Sequence, residues 1–520
     1  EEEKIRSIGQ ERTHAVEPLT NYFVTRLQKD FNQGNTYLGG MFTTVNRKID
    51  EQHLNFLHKS AYTGGIDFVH KWNNKKWMLD AGLYFSQVNG SKKAITRTQE
   101  SFIRTFQRTD ADYVNYDTSR TSLTGHGGKL TIGKLNGNLK FMGGLAWKSP
   151  GLELNDIGYA QQVDNLFQVF WLGYRFYEPF SVFRRMSFNL NQWLMFDFGG
   201  NLTAPGGNLN GHAQFKNYWN TFMSFNVSGT QRSNNMLRGG PAILVPGYKM
   251  INWGFSSNQQ KKLTAEFHTS QQLSNEKQFS TRQRYSPELG YRPLKSLKIS
   301  LAPGYSISKN ELQYVTQKDY AAGMRYIFAQ INRKTLSMSL RLNYNLSPDL
   351  SIQYWGQPFI ASGYYSEYKF ITDSKAKRLE NRYQPYTEEQ ITFDENTEKY
   401  FVDEQANGQS DYSFDKPDFN VKEFLSNLVV RWEYSPGSTL YLVWSQNRNG
   451  FVNDGKFNLS NDVNELFSGK ARNIFLMISD GAGFNTFACA EYYEHGGAGE
   501  GVYADFPVKL ACSTYMLNKN

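Results

Sequence analysis

The chain of 520 residues has only two cysteines, Cys489 and Cys512, both near its end. Disulfides therefore cannot frame the first 488 residues, as expected of an exported barrel but not proof of one. No run approaches the roughly twenty apolar residues of a membrane helix, which excludes spanning by helices. The net charge of +9 comes from Lys and Arg scattered along the chain, so no basic tract points to nucleic acid. The eight histidines show no His-Glu-x-x-His spacing, and His53 and His58 stand five apart in a polar stretch. Gly125-His-Gly-Gly128 and Gly481-Ala-Gly483 lack the Gly-Lys-Ser/Thr ending of a phosphate loop and read as bends or tight approaches. Glu1 opens a polar segment without the charged-then-apolar pattern of a signal peptide, so the chain reads as mature or truncated.

Aromatic residues are abundant at 15%, yet the mean hydropathy is −0.60. That combination suits a transmembrane β-barrel, where half of each strand faces a wet interior and Tyr and Trp ring the interfaces. The stretch Leu336 to Leu346 shows the unit. Leu336, Met338, Leu340, Leu342, Tyr344 and Leu346 alternate with Ser337, Ser339, Arg341, Asn343 and Asn345. The period is two, that of a strand, and eleven residues exceed the five or six of most globular strands while matching the nine to eleven of a tilted membrane strand.

The same pattern recurs in Trp77 to Ser86, Leu139 to Lys148, Met186 to Phe198 and Leu297 to Ile307. Asn73-Asn74, Asn136-Gly137, Ser347-Pro348-Asp349 and Ser435-Pro436-Gly437-Ser438 carry tight-turn chemistry. Long connections are expected at Asn89 to Ser119, Ser149 to Asp164, Gly199 to Gly206, Arg232 to Gly240, Ser362 to Lys422 and Asn449 to Arg472. The expected fold is all-β: a large antiparallel transmembrane barrel of about 18–20 strands, with short periplasmic turns and long extracellular loops. Strand parity requires one more crossing, for which Asn310 to Thr316 is the candidate. Trp77, Leu79, Trp147, Phe188, Phe196, Leu340, Leu342, Trp432 and Trp444 are assigned to lipid, and Asp80, Lys140, Asn189, Asn191 and Arg341 to the lumen.

Three loop features invite chemistry. Between Glu380 and Asp418, eleven acidic residues against Arg382, Lys399 and Lys416 give a net −8, suited to divalent cations, to lipopolysaccharide or simply to water. Glu153 and Asp156, with Asp110 and Asp112, could form a glycosidase pair if about 5 to 9.5 Å apart, or be solvated or bridged by cations. Lys92, Lys93, Arg97, Arg104 and Arg108, with Phe102 and Phe106, suit lipid phosphate or an acidic glycan, or an ordinary solvated loop.

The runs His58-Lys-Ser-Ala-Tyr-Thr-Gly-Gly-Ile-Asp-Phe68, Asn89-Gly-Ser-Lys-Lys-Ala-Ile-Thr-Arg-Thr-Gln-Glu100 and Lys148-Ser-Pro-Gly-Leu-Glu-Leu-Asn-Asp-Ile-Gly-Tyr159 resemble an uncharacterised family. Its members carry a family-nine-like carbohydrate-binding module followed by a large domain of unknown function. Leu190-Asn-Gln-Trp193, Leu237-Arg-Gly-Gly-Pro241 and Tyr354-Trp-Gly-Gln-Pro358 extend the likeness to about residues 21–475. The resemblance implies an outer-membrane barrel with a glycan-handling role and no established activity. The upstream module expected in the full-length family is absent from this sequence. The tail differs: Phe475-Leu-Met-Ile-Ser-Asp-Gly-Ala-Gly-Phe484 is similar to the opening of alkaline phosphatases, which implies that Asp480 is a metal ligand. A nucleophile and a second metal would be needed for phosphoryl transfer, so the tail is expected to be inactive by itself.

These readings divide the chain into a polar linker (1–20), a barrel (21–475) and a truncated phosphatase-like tail (476–520), with the junction expected between Asn473 and Met477. The expected protein is non-enzymatic, without cofactor, in the bacterial outer membrane, with membrane lipid and a glycan or small solute as partners. The rivals are a soluble all-β glycan-binding protein or hydrolase, and the remnant of a phosphatase fusion.

Overall fold

Period-two alternation over this many residues can be satisfied only by a sheet whose two faces meet different solvents. The computed structural model, which describes residues 2–7, 10–276 and 279–480, is built that way. Nineteen long strands run β1 (Leu19–Phe31), β2 (Thr36–Lys48), β3 (His58–Trp72), β4 (Trp77–Gly90), β5 (Ser122–Lys134), β6 (Leu139–Lys148), β7 (Asn165–Phe176), β8 (Phe183–Phe196), β9 (Gly206–Phe215) and β10 (Asn220–Ser228). They continue as β11 (Tyr248–Ser256), β12 (Leu263–Ser274), β13 (Ser280–Leu294), β14 (Leu297–Lys318), β15 (Arg325–Asn345), β16 (Leu350–Ile371), β17 (Phe419–Ser435), β18 (Ser438–Val452) and β19 (Arg472–Asp480). Each pairs antiparallel with its sequence neighbours in one sheet rolled into a barrel, to which the short strand Tyr383–Pro385 adds a twentieth member. No helix is long and apolar enough to cross a membrane.

Connections alternate strictly. At one end lie short turns, including 73–76, 135–138, 346–349 and 436–437, with Asn73, Asn74, Gly137 and Gly437 at positive φ. At the other end lie the long connections 91–121, 149–164, 229–247, 372–418 and 453–471. Asn310 to Thr316 is not a separate crossing: it is the far half of β14, and parity holds without it. The segment 1–20 contains a paired hairpin, Glu2–Ser7 with Gln10–Ala15. At the other terminus β19 runs past the expected boundary to Asp480, and residues 481–520 lie outside the described residues.

Strands β14 to β16 have 22, 21 and 22 residues, twice what a bilayer requires, and project beyond the rest. There the acidic loop folds down as a three-stranded sheet, Ile391–Asp394, Lys399–Val402 and Tyr412–Asp415. Val402 and Phe414 bury Ile327, Ala329, Tyr368 and Phe370. The loop expected from Ser362 to Lys422 therefore shrinks to 372–418, and that from Asn449 to Arg472 to 453–471.

Two helices sit in the loops, on opposite faces of the wall. Helix α1 (Lys92–Gln99), capped by Ser91 Oγ accepting from Ala94 N, buries Ile95 with Val45, Ala61, Val88 and Leu123, all inward-facing. Helix α2 (Leu459–Ser468) lies against the outward face. Phe467 meets the ring of Phe424 at 5.1 Å, and buried Lys422 bonds Asp462 and Glu465 at 3.4 and 2.5 Å.

Candidate functional site

The register assigns every strand residue to a face. Leu79 lies beside Ile132, Ile132 beside Gly143, Gly143 beside Phe170 and Phe170 beside Gln192. The same face holds Trp77, Trp147, Phe188, Phe196, Leu340, Leu342, Trp432 and Trp444. It also carries exposed Ile66, Phe85, Leu130, Leu209 and Met223. At its short-turn rim aromatic rings meet stacked, tilted or edge to face: Trp72 with Trp77, Trp77 with Phe141, Phe183 with Phe215, and Trp219 with Phe255, at 5.2 to 6.2 Å. From Trp77 to Phe85 the belt spans about 27 Å along a tilted strand, and the next residue on this face, Gln87, is polar.

Asp80, Lys140, Asn189, Asn191 and Arg341 lie on the opposite, lumen face. Asp80 accepts from Lys129 at 2.7 Å. Asn189 donates to Asn210 at 2.8 Å and Asn191 to Asn208 at 2.7 Å, while Trp171 Nε1 donates to Asn189 and Asn252 to Ser224. This amide ladder uses polar side chains to satisfy one another across strands, as a wet interior permits.

One turn of residues nearer the short turns, the register lines up a row that alternation alone does not show: Arg175, Ser187, His212, Phe222, Gly254 and His268 are lateral partners on β7 to β12. Phe222 stacks on His212 at 6.1 Å and lies 5.5 Å from His268. The last two rings reach each other over Gly254, where a Cβ would come within 2.6 Å of both. With Arg185, Gln214, Asn220 and Ser256 these residues line a cavity of about 550 Å³. Sequence reasoning missed this row because its successive members are 10 to 32 residues apart and only strand register unites them.

The long-loop mouth is knitted by ion pairs. Asp110 holds Arg232 at 2.8 Å and Lys375 at 2.7 Å and accepts from Ala242 N. Arg104 pairs with Glu153 at 2.9 Å, and Asp156 holds Arg47 at 2.5 Å and His58 at 2.8 Å. Asp164 accepts from Tyr113 at 2.6 Å. Burial works to raise the pKa of Asp110 and of Asp156, but Lys375 for the first and His58 with Arg47 for the second outweigh it and hold both below the ordinary carboxylate range. At Asp164 burial wins and the carboxyl is pushed up. Asp110, Glu153 and Asp156 are thus each engaged in ion pairs. Of the basic loop, Arg104 and Arg108 are buried, whereas Lys92, Lys93 and Arg97 remain at the surface, Arg97 over Phe56 at 4.8 Å.

The glycines of Gly125-His-Gly-Gly128 admit close neighbours: a Cβ on Gly125 would strike the backbone of Leu152, and one on Gly128 the ring of Trp147. Among the described residues no cluster of His, Cys, Asp and Glu could hold a metal ion. Asp480 pairs through its backbone with Thr439, and its side chain lies outside the described residues.

A family profile described as Domain of unknown function (DUF5916) matches residues 3–478. Among curated proteins none matches the sequence. Solved structures with a similar fold include the ferric enterobactin receptor PfeA of Pseudomonas aeruginosa, 8% identical over 83% of this chain and 73% of that chain, with a TM-score of 0.35. FpvAI in its complex with pyocin S2 is 11% identical over 82% and 67%, with a TM-score of 0.37. Outer-membrane expressed OmpT of Vibrio cholerae is 10% identical over 72% and 92%, with a TM-score of 0.27.

Proposed function

The chain belongs to the family described as Domain of unknown function (DUF5916), and from that premise we propose that it is an integral barrel of the bacterial outer membrane. It binds or passes a glycan or small polar solute through its lumen and performs no chemistry of its own. One observation carries the reading: the apolar, aromatic-rimmed face runs outward around the sheet while the inward face bears an amide ladder. A soluble sheet protein would bury its apolar face against a second layer. Here that face is exposed around the belt and is covered, among the described residues, only by α2 and, above the belt, on the projecting ends of β14 to β16, an arrangement that lipid as solvent makes favourable. In that setting the short turns are periplasmic and the ion-paired loops extracellular.

The test is migration on a gel after detergent extraction. The unheated barrel should run at a different apparent mass from the boiled one, and it should require detergent to stay in solution. Dissolution without detergent and no shift would sink the proposal.

A further inference from the structure

Resting on that reading, we propose that the lumen cavity at the short-turn end takes an anionic small solute that carries a ring, its carboxylate or phosphate held by Arg175 and Arg185 and its ring face laid on Phe222.

Of the mouth arginines named above, Arg47, Arg104, Arg108 and Arg232 each have a carboxylate within ion-pair distance, and Arg97 lies over the ring of Phe56. Arg175 and Arg185 differ. They stand on adjacent strands, exposed to the lumen, and among the described residues neither takes part in an ion pair. Two neighbouring guanidinium groups without a carboxylate present planar donor forks that match a carboxylate or phosphate, and they disfavour a cation. Among the described residues no Asp or Glu lines the cavity, and Glu266, 3.9 Å from His268 Nε2, lies outside its lining.

The second half of the site is the aromatic row. Phe222, between His212 and His268, offers a flat apolar surface in an otherwise polar lumen, and Gly254 is what lets the rings close up. Ser187, Gln214, Asn220 and Ser256 supply hydroxyl and amide partners around it. A cavity of about 550 Å³ falls in the range of small-molecule sites and is roomy for one sugar acid or sugar phosphate. Charge selects the anion, and the plate selects a ring over a bare inorganic ion.

Equilibrium dialysis of the full chain in detergent micelles tests this with three probes: glucuronate, glucose and inorganic phosphate. Glucuronate should bind at least tenfold more tightly than glucose, with an affinity that weakens as salt rises. The double variant R175Q/R185Q should lose at least tenfold for glucuronate and for phosphate. Gly254→Ala should weaken glucuronate while leaving phosphate unchanged, because it disturbs the ring plate and not the guanidinium pair. Equal binding of glucose and glucuronate, retention of affinity in R175Q/R185Q, or no binding of any probe would overturn the proposal. Each variant is first checked for the heat-dependent gel shift. Loss of that shift in the unaltered chain would remove the membrane-barrel reading, whereas a normal shift without anion binding would remove only this inference.

Discussion

Placing an arginine at Leu340 asks directly which solvent touches the outward face. Leu340 is on β15 with Leu301 and Gly356 as lateral partners. It lies four residues, about 13 Å along the strand, from Tyr344 at the short-turn rim and the same distance from Leu336. That puts it near the middle of the apolar belt, where a lipid-facing arginine costs about 2–4 kcal/mol and costs near zero toward the interfaces. At 1.36 kcal/mol per tenfold, the Leu340→Arg variant should have a folded-to-unfolded ratio lowered about thirty- to a thousandfold. Asn343→Arg, on the lumen face of the same strand, should cost less than about 0.5 kcal/mol. Reversible guanidinium unfolding in lipid vesicles, followed by tryptophan fluorescence, measures both. Equal shifts at 340 and 343 would show that the two faces share one solvent and would refute the reasoning.

The ion-paired mouth and the outer helix yield further expectations. Asp110→Ala leaves half-buried Arg232 without its 2.8 Å partner and with Asp197 at 4.0 Å as its remaining carboxylate, a change of about 2–3 kcal/mol in loop stability. Hydrogen exchange across 229–247 should quicken about a hundredfold while the wall strands stay protected. Because Asp156 titrates below the ordinary carboxylate range in the folded chain, its contribution is fully present above the unfolded value near pH 4 and is lost as pH falls through the folded one. Protease resistance of 149–164 should therefore persist at about pH 5 and decline below about pH 4, and Asp156→Asn should erase the decline. Lys422→Ala should release α2 at a cost of about 2 kcal/mol, the partly exposed Glu465 reducing the value of that pair, with new cleavage confined to 453–471.

What the sequence revealed follows from where one physical rule applies unmixed. Alternation of Leu336 to Leu346 is visible because lipid and water lie on opposite sides of every residue there. Turn residues such as Asn73, Asn74 and Gly437 are visible because positive φ favours few side chains. Above the belt the rule fails. Ile327 to Ile331 and Tyr368 to Ile371 are buried without interruption, since the acidic loop covers Ile327, Ala329, Tyr368 and Phe370 while Leu237 and Ile243 of the 229–247 connection cover Phe328 and Ile371, and the period of two vanishes. That is why the sequence pattern ends near Ser362 while the strand continues to Ile371. Asn310 to Thr316 reads as detached from its strand for a related reason: register shifts between Asn310 and Gln313 and between Tyr314 and Thr316 break the alternation locally. The Arg175 to His268 row and the Asp110 to Arg232 bridge depend on register and loop packing, neither of which a single segment encodes.

The bridges that lock the mouth also set an order of assembly. Wall ladders join strands adjacent in sequence, linked by turns of a few residues at one end and by at most the 47 residues of 372–418 at the other, so each pairing closes a shorter loop of chain than the mouth bridges do. Asp110 and Arg232 are separated by 122 residues and Arg47 and Asp156 by 109, and neither pair can meet until the intervening strands are in place. Refolding into vesicles should therefore yield a heat-shifted species whose 91–121 segment is still cleavable, followed later by protection of that segment. The entrance is the last part of this molecule to set.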